Sequence, residues 1–187
     1  MARKNLRIVP GVFPMPVVLI ATYNEDGSVN VMNAAWVVAH DYTQIKLNLA
    51  EDHLTTKNIE RTKKFSVAMA DLPHMAEADY VGLVSGKKVH DKAKTAGLAV
   101  SKGEVLDVPV LEDFGVIMEC EVVEEVVEYG VIGEIKRLAV KEEYLDKNGK
   151  VDVSKLQIIA YDPFNHGYYL VDKKVGQAFF EGRKLIK

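Results

Sequence analysis

The sequence predicts a mainly β chain with short helices, a barrel decorated by helices and not a βαβ sheet. Three observations predict it. Short β-branched and apolar runs recur along the whole chain, turn clusters carrying glycine separate them, and helix signals are confined to a few brief stretches.

Pro10-Gly11-Val12-Phe13-Pro14-Met15-Pro16 holds three prolines and forces an extended lead-in. Val17 to Tyr23 is β-branched and apolar and reads as a buried strand. Asn24-Glu25-Asp26-Gly27-Ser28 is a turn, because glycine after aspartate accepts positive φ at low cost. Val29 to Asn33 is the returning strand, and Ala34 to Ala39 continues it with small residues. Ile45-Lys46-Leu47-Asn48-Leu49 alternates with period two and is a further strand. The polar stretch from His53 to Thr62 starts with hydroxyl residues, so Thr55 or Thr56 is the expected N-cap of a short helix. Lys64 to Met69 is a strand. Pro73 is placed to open a helix through Met75, Ala78 and Val81. Asp91 is placed to cap Lys92 to Ala96, with Gly97 closing it. Val116 to Val127 and Val131 to Val140 flank Glu128-Tyr129-Gly130 as a hairpin. Asp146 to Gly149 is a turn, and Gln157 to Tyr161 and Gly167 to Val171 complete the β content.

The 187 residues are about 1.2 times a typical domain of ~150 residues, so one domain over residues 1–187 is expected, with no internal repeat or linker. A composition of 48% apolar and 27% charged residues excludes disordered and collagen-like chains. The net charge of −3 argues against nucleic-acid binding, which favours a basic excess. The one cysteine, Cys120, excludes an intrachain disulfide and a four-cysteine metal site; it alternates with apolar residues and reads as a small core residue. No run of residues approaches the length of a membrane span, and the N-terminal stretch is a poor signal peptide, so a cytoplasmic location is expected.

G-x-G-x-x-G, P-loop, H-E-x-x-H and G-x-S-x-G motifs are all absent. The five histidines, His40, His53, His74, His90 and His166, show no i, i+3 or i+4 pairing, so no metal site is expected. Three constellations remain. In Asn30 to Trp36, amides beside small residues let backbone approach a flat ligand that Trp36 would wall; from the pattern alone a strand end packing into the core is the simpler reading. His53-Leu54-Thr55-Thr56-Lys57-Asn58 offers a helix start, hydroxyls and a lysine to a phosphate; an ordinary capped helix has the same residues. Gly82 to Lys92 joins Ser85 and glycines to three lysines, as would a solvated basic loop. Their conjunction suits a planar phosphorylated ligand.

Taken in order, these residues resemble the flavin reductase-like family of FMN-binding split barrels, flavoredoxin type. The likeness runs from Pro14 to Thr22, Asp26 to Asn30 and Asn33 to Trp36 through His53-x-Thr55 and Asn58-Ile59 to Lys64 to Val67. It continues in Gly82 to Gly86, Asp91-Lys92, Ala96 to Leu98, Pro109, Met118 to Cys120, Ile132 to Ile135 and Gly176 to Phe179, so it spans about residues 12–180. The resemblance implies a six-stranded Greek-key split β-barrel with non-covalent FMN at a homodimer interface. It places Asn33, Ala34, Ala35 and Trp36 at the flavin ring. Thr55, Thr56, Asn58 and Lys92 fall at the ribityl phosphate, with His53, Lys57 and Ser85 as further contacts. Many NAD(P)H-using members carry Gly-Asp-His where this chain has Glu128-Tyr129-Gly130, and Asp-Pro-Pro where it has Asp41-Tyr42-Thr43. His166 stands as the compensating group near the ring. The two departures argue against direct NAD(P)H oxidation. The expected function is an FMN-binding oxidoreductase whose chemistry the flavin carries, with NAD(P)H as one candidate electron source. An FMN electron carrier served by a redox protein, and a flavin-free barrel, are the alternatives.

Overall fold

The computed structural model describes residues 3–126 and 130–186. After the extended lead-in come β1 (Met15–Pro16) and β2 (Val18–Tyr23). The turn holds Gly27 at φ +81°, and Asn24 N–H donates to Ser28 O at 2.8 Å, which returns the chain as β3 (Val29–Ala34). The expected continuous run from Ala34 to Ala39 breaks at Ala35–Trp36 and resumes as β4 (Val37–Asp41), followed by β5 (Gln44–Leu47). Then come α1 (Leu54–Thr62), β6 (Lys64–Met69), α2 (Met75–Leu83), α3 (Lys92–Thr95), β7 (Val100–Lys102) and β8 (Pro109–Leu111). The chain ends with β9 (Val116–Val126), β10 (Gly130–Val140), β11 (Ile158–Asp162) and β12 (Gly167–Val171). Glu128 and Tyr129, expected in the β9–β10 turn, lie outside the described residues.

Seven strands form one sheet in the order β3-β2-β6-β9-β10-β5-β4, every pair antiparallel. β3 and β4 are its two edges, yet only Ala35 and Trp36 separate them. Three Cα–Cα steps span at most about 11 Å, whereas six strand spacings in a flat sheet span about 29 Å. The sheet must therefore curl until its edges meet. Taken as one bent strand, β3 and β4 leave a six-stranded split barrel, as the resemblance implies. Asn48 N–H donates to Trp36 O at 2.9 Å across the bend. β1, β11 and β12 form a small second sheet beside it, and β7 and β8 a third.

β2 shows why the barrel has two cores. Val18 and Ile20 point inward with Ile45, Leu47, Phe65, Val67, Cys120 and Val131, and Ile59 of α1 packs into the same cluster. Leu19 and Ala21 point outward and are covered by Ala78 and Val81 of α2, Ala93 of α3 and Leu111 of β8. Burying a Phe65-sized side chain contributes about 2–3 kcal/mol. Cys120 is fully buried, and burial, aided by the neighbouring Glu119 charge, pushes its thiol up to about 12. A thiol reagent at pH 8 should leave Cys120 unlabelled in the folded chain and modify it stoichiometrically in denaturant; labelling of the native protein at the unfolded rate would contradict this core position.

The helix starts differ from the sequence expectation. The N-cap of α1 is His53, which makes no side-chain cap, and Thr55 and Thr56 lie inside the helix. Both hydroxyls are drawn into tertiary bonds instead: Thr56 Oγ1 donates to Ala50 O at 2.7 Å, and Thr55 Oγ1 accepts from Asn30 Nδ2 at 2.7 Å. α2 begins at Met75 behind His74 and not at Pro73, because Asp71 Oδ1 accepts from the His74 N–H and ring. Asp91 precedes α3 without a side-chain cap. Gly97 closes that helix at φ +74°, its N–H donating to Lys94 O at 3.0 Å.

Candidate functional site

The edge where β3 bends into β4 faces α2 and the loop after it. Two cavities of about 310 and 360 Å3 lie there and share Met32, Asn33, His53, Gly82 and Leu83, so they form one groove with two ends. α2 is held against β3 by Asn33, whose Nδ2 donates to Ala78 O at 2.8 Å. The loop after α2 comes equally close. A Cβ on Gly86 would collide with Asn30 Oδ1, so only glycine permits this approach.

The apolar end is lined by Asn33, Ala34, Ala35 and Trp36 together with Tyr161, Tyr168 and Asp79. Trp36 is 48% exposed and lies 6.4 Å from the Tyr161 ring, which leaves a flat, open wall. Tyr161 and Tyr168 are cross-strand partners on β11 and β12. Tyr168 OH donates to Asp79 Oδ1 at 2.7 Å; burial first, and the adjacent Asp79 carboxylate second, push its phenol up to about 12. Tyr161 OH and His166 Nδ1 share a hydrogen bond at 2.6 Å. His166 does not line the groove and reaches it through Tyr161.

The polar end is lined by His53, Thr55, Ser85, Lys87 and Lys92. α1 starts here with no side-chain cap and no acidic residue in its first turn. Its first N–H groups lack intrahelical carbonyl partners, so they and the helix dipole favour an anion. A buried set fixes this end: Asn58 Nδ2 donates to Thr22 Oγ1 at 3.1 Å and to Asn24 Oδ1 at 2.8 Å, while Asn30 ties β3 to Thr55. The ammonium of Lys92 is the one charge sunk into the wall, the side chain being only 3% exposed. It donates to Val81 O at 2.9 Å and Val84 O at 3.0 Å, closing the C-terminal end of α2, and keeps a third N–H. Burial pulls its pKa down from 10.5 to about 8.

The groove thus gathers Asn33, Ala34, Ala35, Trp36, His53, Thr55, Ser85 and Lys92 of the sequence-expected residues. Thr56, Lys57 and Asn58 belong to α1 but line neither end. Asp79, Tyr161 and Tyr168 were not expected. The symmetry of the β11–β12 hairpin about Phe164–Asn165 was the available signal for pairing the two tyrosines. Among the described residues no three His, Cys, Asp or Glu gather as metal ligands, and no helix is long and apolar enough to cross a membrane. The donor set fits a flavin mononucleotide: a flat apolar slot with an aromatic wall at one end, and an uncapped helix start with a buried cation at the other.

Comparison with known proteins agrees with this chemistry. The model of the flavin reductase like domain matches residues 11–155. The chain belongs to that family. Two solved flavin reductase-like relatives are flavoredoxins. That of Desulfovibrio vulgaris (Miyazaki F) is 28% identical with a TM-score of 0.93, over 97% of this chain and 100% of its own. That of Methanosarcina acetivorans is 29% identical with a TM-score of 0.86, over 98% of this chain and 100% of its own. The Pseudomonas fluorescens 2-nitrobenzoate 2-nitroreductase shares the fold at 21% identity and a TM-score of 0.79, covering 89% of this chain and 85% of its own. A curated relative, an uncharacterized protein of Aeropyrum pernix, is 28% identical over 132 residues. Those residues are 70% of this chain and 50% of the relative, so the match spans about half of that protein's length.

Proposed function

We propose that this chain is an FMN-binding oxidoreductase of the flavoredoxin type, with the isoalloxazine at the Asn33–Trp36 end of the groove and the ribityl phosphate at the Thr55, Ser85 and Lys92 end. The carrying observation is the buried Lys92 ammonium in the wall of a groove whose other end is flat and aromatic. Capping the Val81 and Val84 carbonyls occupies two of the ammonium's three N–H groups, and the third remains for a phosphate at the groove. Family membership and the two flavoredoxin structures support the reading.

The flavin, when bound, supplies the hydride or single-electron chemistry. The protein binds and orients. Lys92 and the α1 start neutralise the phosphate, His53 stands where the two ends meet, and Trp36 and Tyr161 cover the ring edge. Tyr161 and His166 hold an exchangeable proton between them at the open mouth. Thr56 and Asn58 anchor α1, which presents the site, through Ala50, Thr22 and Asn24. Half-exposed Trp36 leaves the ring slot open on one side, so we also propose a homodimer in which the second subunit closes it. The electron source is NAD(P)H or a redox protein, and an assay of NAD(P)H oxidation by the flavin-loaded dimer separates the two.

The purified protein should be yellow or become so with FMN, and mass spectrometry of the flavin released on denaturation should show FMN and not FAD. A protein that releases FAD, or that takes up no flavin, would refute the assignment.

A further inference from the structure

Two segments of the chain stand off the barrel. Residues 3–14 are extended and expose Leu6, Ile8 and Val12, Ile8 to 96%. Residues 172–186 expose Val175, Phe179, Phe180, Leu185 and Ile186, Phe179 to 98%. Apolar side chains this exposed contribute nothing to the isolated fold, and contiguous ones mark contact surfaces. The second segment is nevertheless built. Lys174 Nζ donates to Gln177 Oε1 at 2.7 Å, Gln177 N–H donates to Glu181 Oε1 at 3.2 Å, and the Arg183 guanidinium sits 5.4 Å above the Phe180 ring. Phe179 takes φ +61°, a left-handed conformation that is unfavourable for a bulky side chain. The segment thus bears backbone strain to display an aromatic pair to solvent, and strain of this kind persists where it serves a contact.

Charge indicates what the pair meets. Arg3, Lys4 and Arg7 give residues 1–14 a charge of +3. Five basic and two acidic residues give 172–187 another +3. Since the whole chain carries −3, residues 15–171 carry −9. Each chain therefore consists of an acidic body and two basic, apolar arms that its own body leaves mostly uncovered, Phe13 packing edge-on against Tyr169 of β12. The complementary surface present in every solution of the protein is the body of a second copy.

We propose that the two arms clasp a second copy of this chain, Phe179 and Phe180 anchoring each C-terminal arm on the partner's body and the lysines and arginines of both arms matching its acidic surface. This rests on the homodimer reading above and specifies what holds the dimer. A pair of reciprocal arms makes a closed twofold contact, and aromatic anchors carry most of the energy of such interfaces. The charge contribution makes the association salt-sensitive.

Sedimentation equilibrium of the full chain tests it. The wild type should run at twice the 20.8 kDa of one chain, with dissociation rising between 0.05 and 0.5 M NaCl. Phe179→Ser/Phe180→Ser should raise the dimer dissociation constant by roughly a hundredfold or more, with unchanged far-UV circular dichroism. Lys173→Glu/Lys174→Glu/Lys184→Glu should weaken the dimer and remove much of its salt dependence. A double-serine variant that stays fully dimeric would overturn the arm role and leave the dimer standing. A monomeric wild type would overturn both. A wild type that stays monomeric but sediments with phosphatidylserine–phosphatidylcholine vesicles would assign the arms to a membrane surface and also overturn the proposal.

Discussion

Replacing Lys92 by methionine should lower FMN affinity ten- to a hundredfold and leave riboflavin affinity within about twofold. Riboflavin lacks the phosphate, so the difference isolates the charge. Methionine keeps the buried stem volume while removing the ammonium. The carbonyls of Val81 and Val84 lose their donor, which should cost the ligand-free fold about 1–2 kcal/mol. The pH dependence follows from the lowered pKa. In the free protein Lys92 sheds its proton near pH 8, while a bound phosphate dianion favours the charged form and raises that value. Binding above pH 8 must therefore take up a proton, and FMN affinity should fall by up to about tenfold per pH unit. Ligand-free stability moves the opposite way. Between about 8 and the ordinary 10.5 the unfolded chain holds the lysine proton that the folded chain has lost, so the contribution of Lys92 to stability rises with pH, opposed above about 9 by Cys120, whose thiol the folded chain keeps protonated. Lys92→Met should remove the slope in FMN affinity and the lysine's contribution to the stability slope. Fluorescence titration of both flavins from pH 7 to 10 decides the matter; an equal loss for FMN and riboflavin would mean that the ring pocket, not the phosphate, was disturbed.

Glu119→Gln should destabilise the fold by about 2–3 kcal/mol, since the carboxylate's charge-assisted hydrogen bonds are lost while Arg137 keeps Glu104. The Glu119 side chain is fully buried on β9. Its carboxylate accepts from the N–H groups of Glu104, Val105 and Leu106 at 3.0, 3.0 and 2.6 Å, and from Arg137 Nη1 at 3.2 Å. It thereby pins the loop between β7 and β8 to the barrel. Burial alone raises its pKa; the three backbone donors and Arg137 outweigh burial and hold it below the usual carboxylate value. Glutamine would turn an N–H2 toward N–H donors and strip Arg137 of a buried partner. A group with a depressed folded pKa contributes stability that is present above the unfolded value and is lost as pH falls through the folded one. The wild type should therefore lose its advantage over Glu119→Gln as pH drops below the usual carboxylate range. Urea unfolding at pH 7 and at pH 2.5 checks both statements, and a variant within 1 kcal/mol of wild type at pH 7 would contradict them.

Much of the fold is legible in the sequence because its signals are local. Alternation at Ile45 and Leu47 and the Asp26-Gly27 and Asn148-Gly149 turns each mark structure within a few residues. Helix starts are less legible, since threonines at such a position commonly cap the helix, whereas Thr55 and Thr56 spend their hydroxyls on Asn30 and Ala50. The bend at Ala35–Trp36 reads as unbroken strand until closure of the barrel forces it. In the groove, Asn33 to Trp36 and the α1 start announce themselves as short motifs, and the ordered likeness to a flavin family joins them. Lys92 is legible as a residue but not in its setting, because the carbonyls it meets lie eight and eleven positions back. Asp79 and Tyr168 are 89 residues apart and carry no local pattern that pairs them.

The chain has a single tryptophan, Trp36, and it walls the apolar end of the groove. Its emission is therefore a reporter confined to the proposed ring site. Titration with FMN should quench it in a saturable way at one flavin per chain, and ribose 5-phosphate should leave it unchanged. Tryptophan emission that stays constant through micromolar FMN, with no heat of binding in calorimetry, would contradict a flavin in this groove.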